Sequence, residues 1–196
     1  MKRLIISDVH LGAPYFDKKY KLMNLLSKDF DEIIVVGDFY ELLGFKSLDQ
    51  IKKEDSDLMT IIDNKNIIFI KGNHDLESCH LDNFMFELPN GKKVILVHGH
   101  QFDGTEDKGF WTKVNIILYK IFKIEVRRYL RTLKDYSKLY AKALAYYKEK
   151  CDYLILGHTH EPFVDTENNI YNCGDWLEHC SWIEIIDDEI ILKQEK

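Results

Sequence analysis

The chain has 196 residues, 45% hydrophobic and 31% charged, which excludes an intrinsically disordered protein and suits one globular domain, residues 1–196. Its formal net charge of −6 argues against a general nucleic-acid coat. The first apolar run is too short for a signal peptide, and no apolar run is long enough to span a membrane. The four cysteines form no C-x-x-C pair. We therefore expect reduced thiols in a cytoplasmic protein.

Five short apolar runs rich in Ile, Val and Leu predict strands that are buried on both faces. In chain order they are residues 4–6, 33–36, 67–70, 94–97 and 153–156. Apolar residues at helical spacing fall between them, at 18–30 and 47–62. Turns are predicted at 89–91, 168–169 and 187–188. This order predicts an α/β fold with two mixed sheets flanked by helices.

Residues 104–150 form a long helical pattern that is basic and rich in aromatic residues. Twelve Lys and Arg residues stand there against five Asp and Glu, so this segment is positive while the rest of the chain is strongly negative. We interpret it as two helices inserted between strands, forming a cap beside a functional site. A solvated, core-packed helix pair is the alternative.

Each of the five apolar runs is followed by residues of the types that bind metals. The segments are Ser7-Asp8-Val9-His10, Gly37-Asp38, Gly72-Asn73-His74-Asp75, His98-Gly99-His100 and Gly157-His158-Thr159-His160. Parallel strands would bring these carboxyl ends together at one edge. Imidazole suits zinc, iron and manganese, and carboxylates suit hard divalent ions. If the segments stay extended, the side chains of Asp8 and His10 point the same way, as do those of His158 and His160.

This ordered set of motifs resembles the calcineurin-like metallophosphoesterases, whose fold is a β-sandwich flanked by helices. The resemblance implies one metal ion bound by Asp8, His10, Asp38 and His160. It implies a second ion bound by Asp38, Asn73, His98 and His158, with Asp38 shared between the two. It also implies that His74 contacts the phosphate and protonates the leaving oxygen, and Asp75 is expected to orient His74. We expect two divalent ions, with manganese first and iron or zinc as alternatives.

Three further segments resemble the UDP-2,3-diacylglucosamine pyrophosphatase branch of that superfamily. They are Asp38-Phe39-Tyr40-Glu41-Leu42-Leu43, His98-Gly99-His100-Gln101-Phe102-Asp103 and Asn172-Cys173-Gly174-Asp175-Trp176. The resemblance implies hydrolysis of a phosphodiester or pyrophosphate bond, with this nucleotide lipid as the candidate substrate. A general nucleotide phosphodiesterase or phosphatase, a nuclease and a non-catalytic scaffold are the alternatives.

Substrate contacts are expected around the metal site and on the basic segment. The candidates are Asn73, His74, His100, Arg127, Arg128 and Arg131. The expected partner is a phosphorylated small molecule or lipid-nucleotide, with nucleic acid less favoured. Contact of the basic helices with the inner face of a membrane stays open.

Overall fold

In the computed structural model, the described residues are 1–75, 79, 81–103, 110–123 and 134–195. Within these ranges, ten strands form two sheets and six helices connect them. The strands are β1 Lys2–Ile6, β2 Glu32–Val36, β3 Ile67–Ile70, β4 Phe84–Glu87, β5 Lys93–Val97, β6 Tyr153–Leu156, β7 Phe163–Asp165, β8 Ile170–Asn172, β9 Ser181–Ile186 and β10 Glu189–Gln194. The helices are α1 Lys19–Leu26, α2 Leu48–Glu54, α3 Ser56–Asp63, α4 His100–Asp103, α5 Phe110–Phe122 and α6 Ser137–Tyr147.

Both sheets are mixed, as the sequence predicts. The first has the order β10-β9-β1-β2-β3, with β1, β2 and β3 parallel and β9 and β10 antiparallel to their neighbours. The second has the order β4-β5-β6-β8-β7, with β5, β6 and β8 parallel and an antiparallel strand at each edge. The five apolar runs all lie in parallel strands of these two sheets.

The two sheets pack face to face, and helices cover their outer faces. Ile5 of β1 and Leu96 of β5 belong to one buried cluster between the sheets. Leu4 packs outward in a cluster shared with α1, α2 and α3. On the other side, Ile95 packs outward in a cluster that includes Ala143 of α6. Because alternate residues of these strands meet different layers, both strand faces must be apolar, which explains the unbroken Ile, Val and Leu runs.

The predicted helices are shorter or divided in the structure. The pattern over residues 18–30 gives a helix that ends at Leu26. The pattern over 47–62 gives two helices, α2 and α3, separated at Asp55. Ser47 and Gln50 form a capping box at the start of α2, which satisfies N–H groups that a helix leaves unpaired.

Helices α4, α5 and α6 follow β5 and precede β6 in the sequence. Because α6 packs on the second sheet, it forms part of that sheet's outer layer. Residues 104–109 and 124–133, with the predicted substrate contacts Arg127, Arg128 and Arg131, lie outside the described residues. The extent of the predicted insertion, 104–150, therefore stays a prediction. Among the helices described, none is both long and apolar enough to cross a membrane.

Candidate metal centre

The carboxyl ends of β1, β2, β3, β5 and β6 bring the seven predicted metal ligands into one cluster. Five of the seven residues are at most 8% exposed, and the remaining two, Asn73 and His158, are partly buried. The burial of several ionisable groups at one point is costly unless they are paired or bind a cation. The seven predicted metal ligands are Asp8, His10, Asp38, Asn73, His98, His158 and His160.

Sharp turns in the backbone, and not extended segments, aim these side chains. Asp8 and His10 have φ angles of 53° and 52°, Asp38 of 53°, and His158 and His160 of 69° and 65°. The expectation that alternation along an extended segment orients the pairs is therefore wrong. Left-handed backbone costs a non-glycine residue on the order of 1–3 kcal/mol and concentrates at functional sites.

Two glycines allow the strand ends to approach each other closely. A Cβ atom at Gly72 would overlap the carboxylate and backbone nitrogen of Asp38. A Cβ atom at Gly157 would overlap Oγ of Ser7 and lie 2.8 Å from Oδ2 of Asp8. Glycine is therefore needed directly after β3 and β6 for the site to close.

The carboxylate of Asp8 is fixed by one oxygen and presents the other to the cluster. Its Oδ2 accepts hydrogen bonds from the Ser7 hydroxyl at 2.5 Å and from the His158 N–H at 2.8 Å. Its Oδ1 is buried and has no hydrogen-bond partner among the described residues. That atom lies 3.3 Å from Nε2 of His160 and 3.9 Å from Nε2 of His10. An unpaired buried carboxylate oxygen beside imidazole nitrogens is well placed to act as a ligand of a bound cation.

Asp38 is held in the same way and lies between two groups of histidines. Its Oδ1 accepts a hydrogen bond from the backbone N–H of His74 at 2.7 Å. Its Oδ2 lies 3.3 Å from Nε2 of His98 and 3.9 Å from Nε2 of His10. One oxygen of Asp38 is therefore within reach of ligand atoms on both sides.

Two histidines have one ring nitrogen fixed by groups on or after β2. Nδ1 of His98 donates to the carbonyl oxygen of Val36 at 2.7 Å, and Nδ1 of His10 lies 3.1 Å from Oε2 of Glu41. A carbonyl oxygen can only accept a hydrogen bond, so Nδ1 of His98 carries a proton, and Nε2 is the nitrogen that can bind a metal. The Nε2 atoms then face the cluster, where a neutral imidazole can act as a ligand.

The other two histidines are held by carboxylates. Nε2 of His158 lies 3.0 Å from Oδ2 of Asp103, and Nδ1 of His160 lies 2.9 Å from Oδ2 of Asp175. The nitrogen left for the cluster is Nδ1 in His158 and Nε2 in His160. Carboxylates that hold metal-ligating histidines in this manner fix the tautomer and strengthen the ligand.

The ligand atoms fall into two groups with spacings that suit metal ions. Around Asp8, the Nε2 atoms of His10 and His160 are 3.3 Å apart. Around Asn73, its Oδ1 lies 3.3 Å from Nε2 of His98 and 3.0 Å from Nδ1 of His158. Ligands bound to zinc at about 2.0–2.2 Å lie roughly 3–3.5 Å from each other. The residues present therefore fit divalent ions.

The charges of the cluster also favour a cation. Burial lowers the pKa of His98, but the nearby carboxylates of Asp38 and Asp8 outweigh it and raise that pKa to about 10. Burial raises the pKa of Asp38, but His98 and His74 beside it hold the pKa well below its usual range. In the metal-free chain, a protonated imidazole therefore balances carboxylates that a metal ion can neutralise instead.

The predicted catalytic residues lie next to the cluster. His74 is buried, and its Nδ1 lies 2.8 Å from Oε1 of Glu41. Asp75 accepts hydrogen bonds from the backbone N–H groups of Gly72 at 2.9 Å and Phe39 at 2.7 Å. These bonds tie the loop after β2 to the loop after β3. The catalytic roles of His74 and Asp75 stay predictions.

His100, a predicted substrate contact, lies at the side of the cluster. Its ring centroid is 5.4 Å from that of His98 and 6.3 Å from that of His158. Burial, together with these two histidines, lowers the pKa of His100 to about 4. His100 is therefore neutral at physiological pH and can either donate or accept a hydrogen bond.

Three carboxylates that hold the histidines were missed by sequence reasoning. They are Glu41, Asp103 and Asp175, which lie in the three segments that resemble the pyrophosphatase branch. Burial raises the pKa values of Glu41 and Asp175, but the histidines they contact lower both well below the usual range. The sequence signal that could have identified two of them is an acidic residue shortly after a metal motif. Glu41 lies three residues after Asp38, and Asp103 lies five residues after His98.

Comparison with known proteins identifies the superfamily. The model of the calcineurin-like phosphoesterase superfamily domain matches residues 1–177. The chain therefore belongs to the calcineurin-like phosphoesterase superfamily. Membership confirms the expectation of a metal-dependent phosphoester hydrolase. The branch within the superfamily stays a prediction. A search of curated proteins finds no match.

Several solved structures share the fold at low sequence identity. A novel archaeal phosphodiesterase is 20% identical with a TM-score of 0.53, and the match covers 100% of both chains. The phosphoesterase Yfce from E. coli is 16% identical with a TM-score of 0.53, over 100% of this chain and 98% of its own. Wild-type Vps29 from Entamoeba histolytica, complexed with zinc, is 18% identical with a TM-score of 0.54, over 100% and 97%. These likenesses confirm the two-sheet fold.

Proposed function

We propose that this protein hydrolyses a phosphodiester or pyrophosphate bond with two divalent metal ions. One ion would be held by Asp8, His10, Asp38 and His160, and the other by Asp38, Asn73, His98 and His158. The observation that carries this proposal is the position of Asp38 Oδ2, which faces Nε2 of His10 on one side and Nε2 of His98 on the other. Manganese is the first choice of metal, with iron and zinc suited to the same ligands.

The roles of the protein side chains follow from their fixed atoms. Bound divalent ions supply a water-derived nucleophile at neutral pH and neutralise charge on phosphoryl oxygens. The backbone bonds of Asp8 and Asp38 keep their outer oxygens aimed before substrate arrives, so little reorganisation is needed. His74 is proposed to contact the phosphate and to protonate the leaving oxygen. Asp75 is proposed to keep the His74 loop in place.

The exposed surface of helix α5 supports the proposal that the substrate is amphiphilic. It lies beside the loops that follow β1 and β2, since Tyr119 packs on Tyr15 with ring centroids 5.6 Å apart and Nζ of Lys120 lies 5.5 Å from the ring centroid of Phe45. Its solvent-facing side carries large apolar residues, of which Trp111 and Ile121 are 66% and 64% exposed. Its buried side chains include the polar residue Thr112. Exposed apolar surface of this kind is typical of binding sites, and here it suits the acyl chains of UDP-2,3-diacylglucosamine.

The same helix is the proposed contact with a membrane surface. Lys113, Lys120 and Lys123 accompany the exposed apolar residues on or directly after α5. Lysines beside an apolar helix face attract the headgroups of anionic lipids. A lipid-nucleotide substrate would reach the site from that surface, and the protein would work at the inner face of the membrane.

A hydrolysis panel with added manganese tests the function. It compares a UDP-diacylglucosamine, a nucleotide diester, a monoester and single-stranded DNA. We expect the acylated pyrophosphate to give the highest kcat/KM. Preference for the nucleotide diester would favour a general phosphodiesterase, and salt-sensitive cleavage of DNA would favour a nuclease. No hydrolysis of any of the four would contradict the proposal.

A further inference from the structure

Helix α6 contacts the turn that carries the proposed metal ligands His158 and His160. The hydroxyl of Tyr140 on α6 lies 2.7 Å from Oγ1 of Thr159, the residue between the two histidines. Thr159 is only 2% exposed, so water competes little for this hydrogen bond. Burial raises the pKa of Tyr140 above its ordinary value, so the hydroxyl stays protonated at physiological pH. A helix that lies outside both sheets therefore supplies a hydrogen bond to the turn.

The position of the Tyr140 ring is set by packing on neighbouring elements. The ring meets Phe163 of β7 edge to face, with centroids 4.6 Å apart. The preceding residue, Leu139, is buried, and its Cδ2 would lie 4.0 Å from a Cβ atom at Gly99. That same atom would lie 3.9 Å from Cβ of His158. The start of α6 is thus close to the turn through two neighbouring residues.

Thr159 is the junction of a small hydrogen-bond network on the turn. Its Oγ1 accepts a hydrogen bond from Nδ2 of Asn172 at 3.2 Å, and the same nitrogen donates to the carbonyl oxygen of Gly157 at 2.9 Å. The amide of Asn172 is itself oriented, because its Oδ1 accepts from the N–H of Gly174 at 2.9 Å. A hydroxyl has one donor and two acceptor sites, so Thr159 can serve both Asn172 and Tyr140. The turn is therefore held by β8 on one side and by α6 on the other.

The turn depends on bonds from outside because its backbone is strained. His158 and His160, on either side of Thr159, have left-handed φ angles of 69° and 65°. Such a conformation persists where the surrounding structure fixes it. Within the turn, the N–H of Thr159 donates to the carbonyl oxygen of Gly157 at 2.8 Å, a bond that spans only two residues. Hydrogen bonds to the Thr159 side chain therefore add constraint that the short turn does not supply by itself.

We infer that Tyr140 is a positioning residue that holds the turn from His158 to His160 in its metal-binding conformation through the hydroxyl of Thr159. The inference rests on the proposed function for the roles of the two histidines as metal ligands. It gives α6 a second task besides covering the second sheet, because this helix then contributes to metal affinity.

Calorimetric titration of the metal-free protein with manganese tests the effect on the metal centre. Tyr140→Phe keeps the ring that packs on Phe163 and removes only the hydroxyl. We expect manganese affinity to fall roughly three- to tenfold, the equivalent of one hydrogen bond. Thr159→Val should lose at least as much, and the double variant should lose little more than Thr159→Val alone. Wild-type affinity in Tyr140→Phe, or additive losses in the double variant, would overturn the inference.

Tyr147→Phe is the matched control, because Tyr147 is also buried and lies two turns further along α6. Its ring packs on Phe102, with centroids 6.1 Å apart. This variant should have the wild-type manganese affinity. A loss equal to that of Tyr140→Phe would indicate a general effect of α6 packing and would overturn the specific role of Tyr140.

Hydrogen exchange of the backbone amides in the metal-free protein tests the positioning without any metal ion. Tyr140→Phe should speed exchange of the Thr159 N–H about threefold or more and leave the amides of β6 unchanged, since the turn loosens while the sheet stays intact. No change at Thr159, or equal acceleration in β6, would overturn the inference. If the wild type takes up no manganese while Tyr140→Phe still speeds exchange at Thr159 alone, the proposed function fails and the dependence of the turn on Tyr140 stands.

Discussion

Asp175 holds His160 from outside the cluster, with Oδ2 of the carboxylate 2.9 Å from Nδ1 of the ring. The contact determines which nitrogen of His160 faces Asp8. Asp175 is itself fully buried, and its other oxygen accepts the backbone N–H of His179 at 2.9 Å. A carboxylate placed in this way would act on a bound metal ion through the histidine.

Replacement of Asp175 by Asn should weaken metal binding without unfolding the chain. The amide cannot stabilise the imidazole as a carboxylate does, and losses of about 10–100-fold in metal affinity are usual for such partners. Isothermal titration of the apo-protein with manganese measures the effect. Glu184→Gln serves as the control, because Glu184 is also buried and accepts hydrogen bonds from Trp182 and Lys193 on β9 and β10. It should bind manganese as the wild type does. Equal affinity in Asp175→Asn would show that the contact does not support a ligand.

Replacement of Asp38 by Ala should remove metal binding and activity together. The reason is that Asp38 Oδ2 faces both groups of ligand atoms, so one substitution damages both. Elemental analysis of the purified variant, combined with kcat/KM on the preferred substrate, checks this. Retained turnover with the full metal content would exclude a shared ligand at this position.

Replacement of His74 by Ala should separate chemistry from metal binding. We expect the wild-type metal content with a kcat lowered roughly a hundredfold or more, which is the usual contribution of a positioned acid. Metal analysis and steady-state kinetics on the same preparation measure both quantities. If the metal content falls together with the rate, His74 acts as a ligand, as its place in a group with His10 and Glu41 also permits.

Metal uptake at neutral pH should release protons. The carboxylates of Asp38 and Asp8 raise the pKa of His98 to about 10, so this ring is protonated in the metal-free chain. A metal ion needs the neutral imidazole and must displace that proton, so metal affinity rises with pH. Calorimetry in two buffers of different ionisation enthalpy should show the release of at least about one proton per chain. Metal binding with no release at pH 7 would contradict the charge state of His98.

Removal of the exposed apolar side chains of α5 should lower kcat/KM for an acylated substrate and leave that of a soluble substrate unchanged. The triple variant Trp111→Ser, Ile121→Ser and Phe122→Ser removes apolar contact area, and we expect kcat/KM for the acylated pyrophosphate to fall roughly tenfold or more. Turnover of a short soluble diester should not change. Tyr20→Ser on α1, where the ring is 80% exposed, is the control. Equal losses on both substrates would remove α5 from substrate binding.

The five parallel strands, and the clustering of polar residues at their carboxyl ends, could be predicted because both depend on local sequence. An apolar run buried on both faces, followed by Asp, Asn or His, is visible in one dimension, and parallel strands bring such ends together. The carboxylates that hold the histidines could not be found in this way. Asp103 meets a ring 55 residues later in the chain, and this pairing depends on the finished fold.

The orientation of the ligands was also beyond sequence reasoning. Alternation along a strand predicts that Asp8 and His10 point together, but both lie in left-handed turns. Such turns are held by tertiary bonds, for example from the N–H of His10 to the carbonyl oxygen of Asp38 at 2.9 Å. The division of the 47–62 pattern into two helices at Asp55 was likewise not predicted, since local periodicity continues past it with less regular spacing.

Anomalous diffraction from crystals of the manganese-loaded protein tests the central claim most directly. Data collected at the manganese edge locate each bound ion without reference to activity. The claim predicts two ion peaks, one on each side of Asp38, with Oδ2 of that residue bonded to both. A single peak, or two peaks of which Asp38 contacts only one, would contradict it.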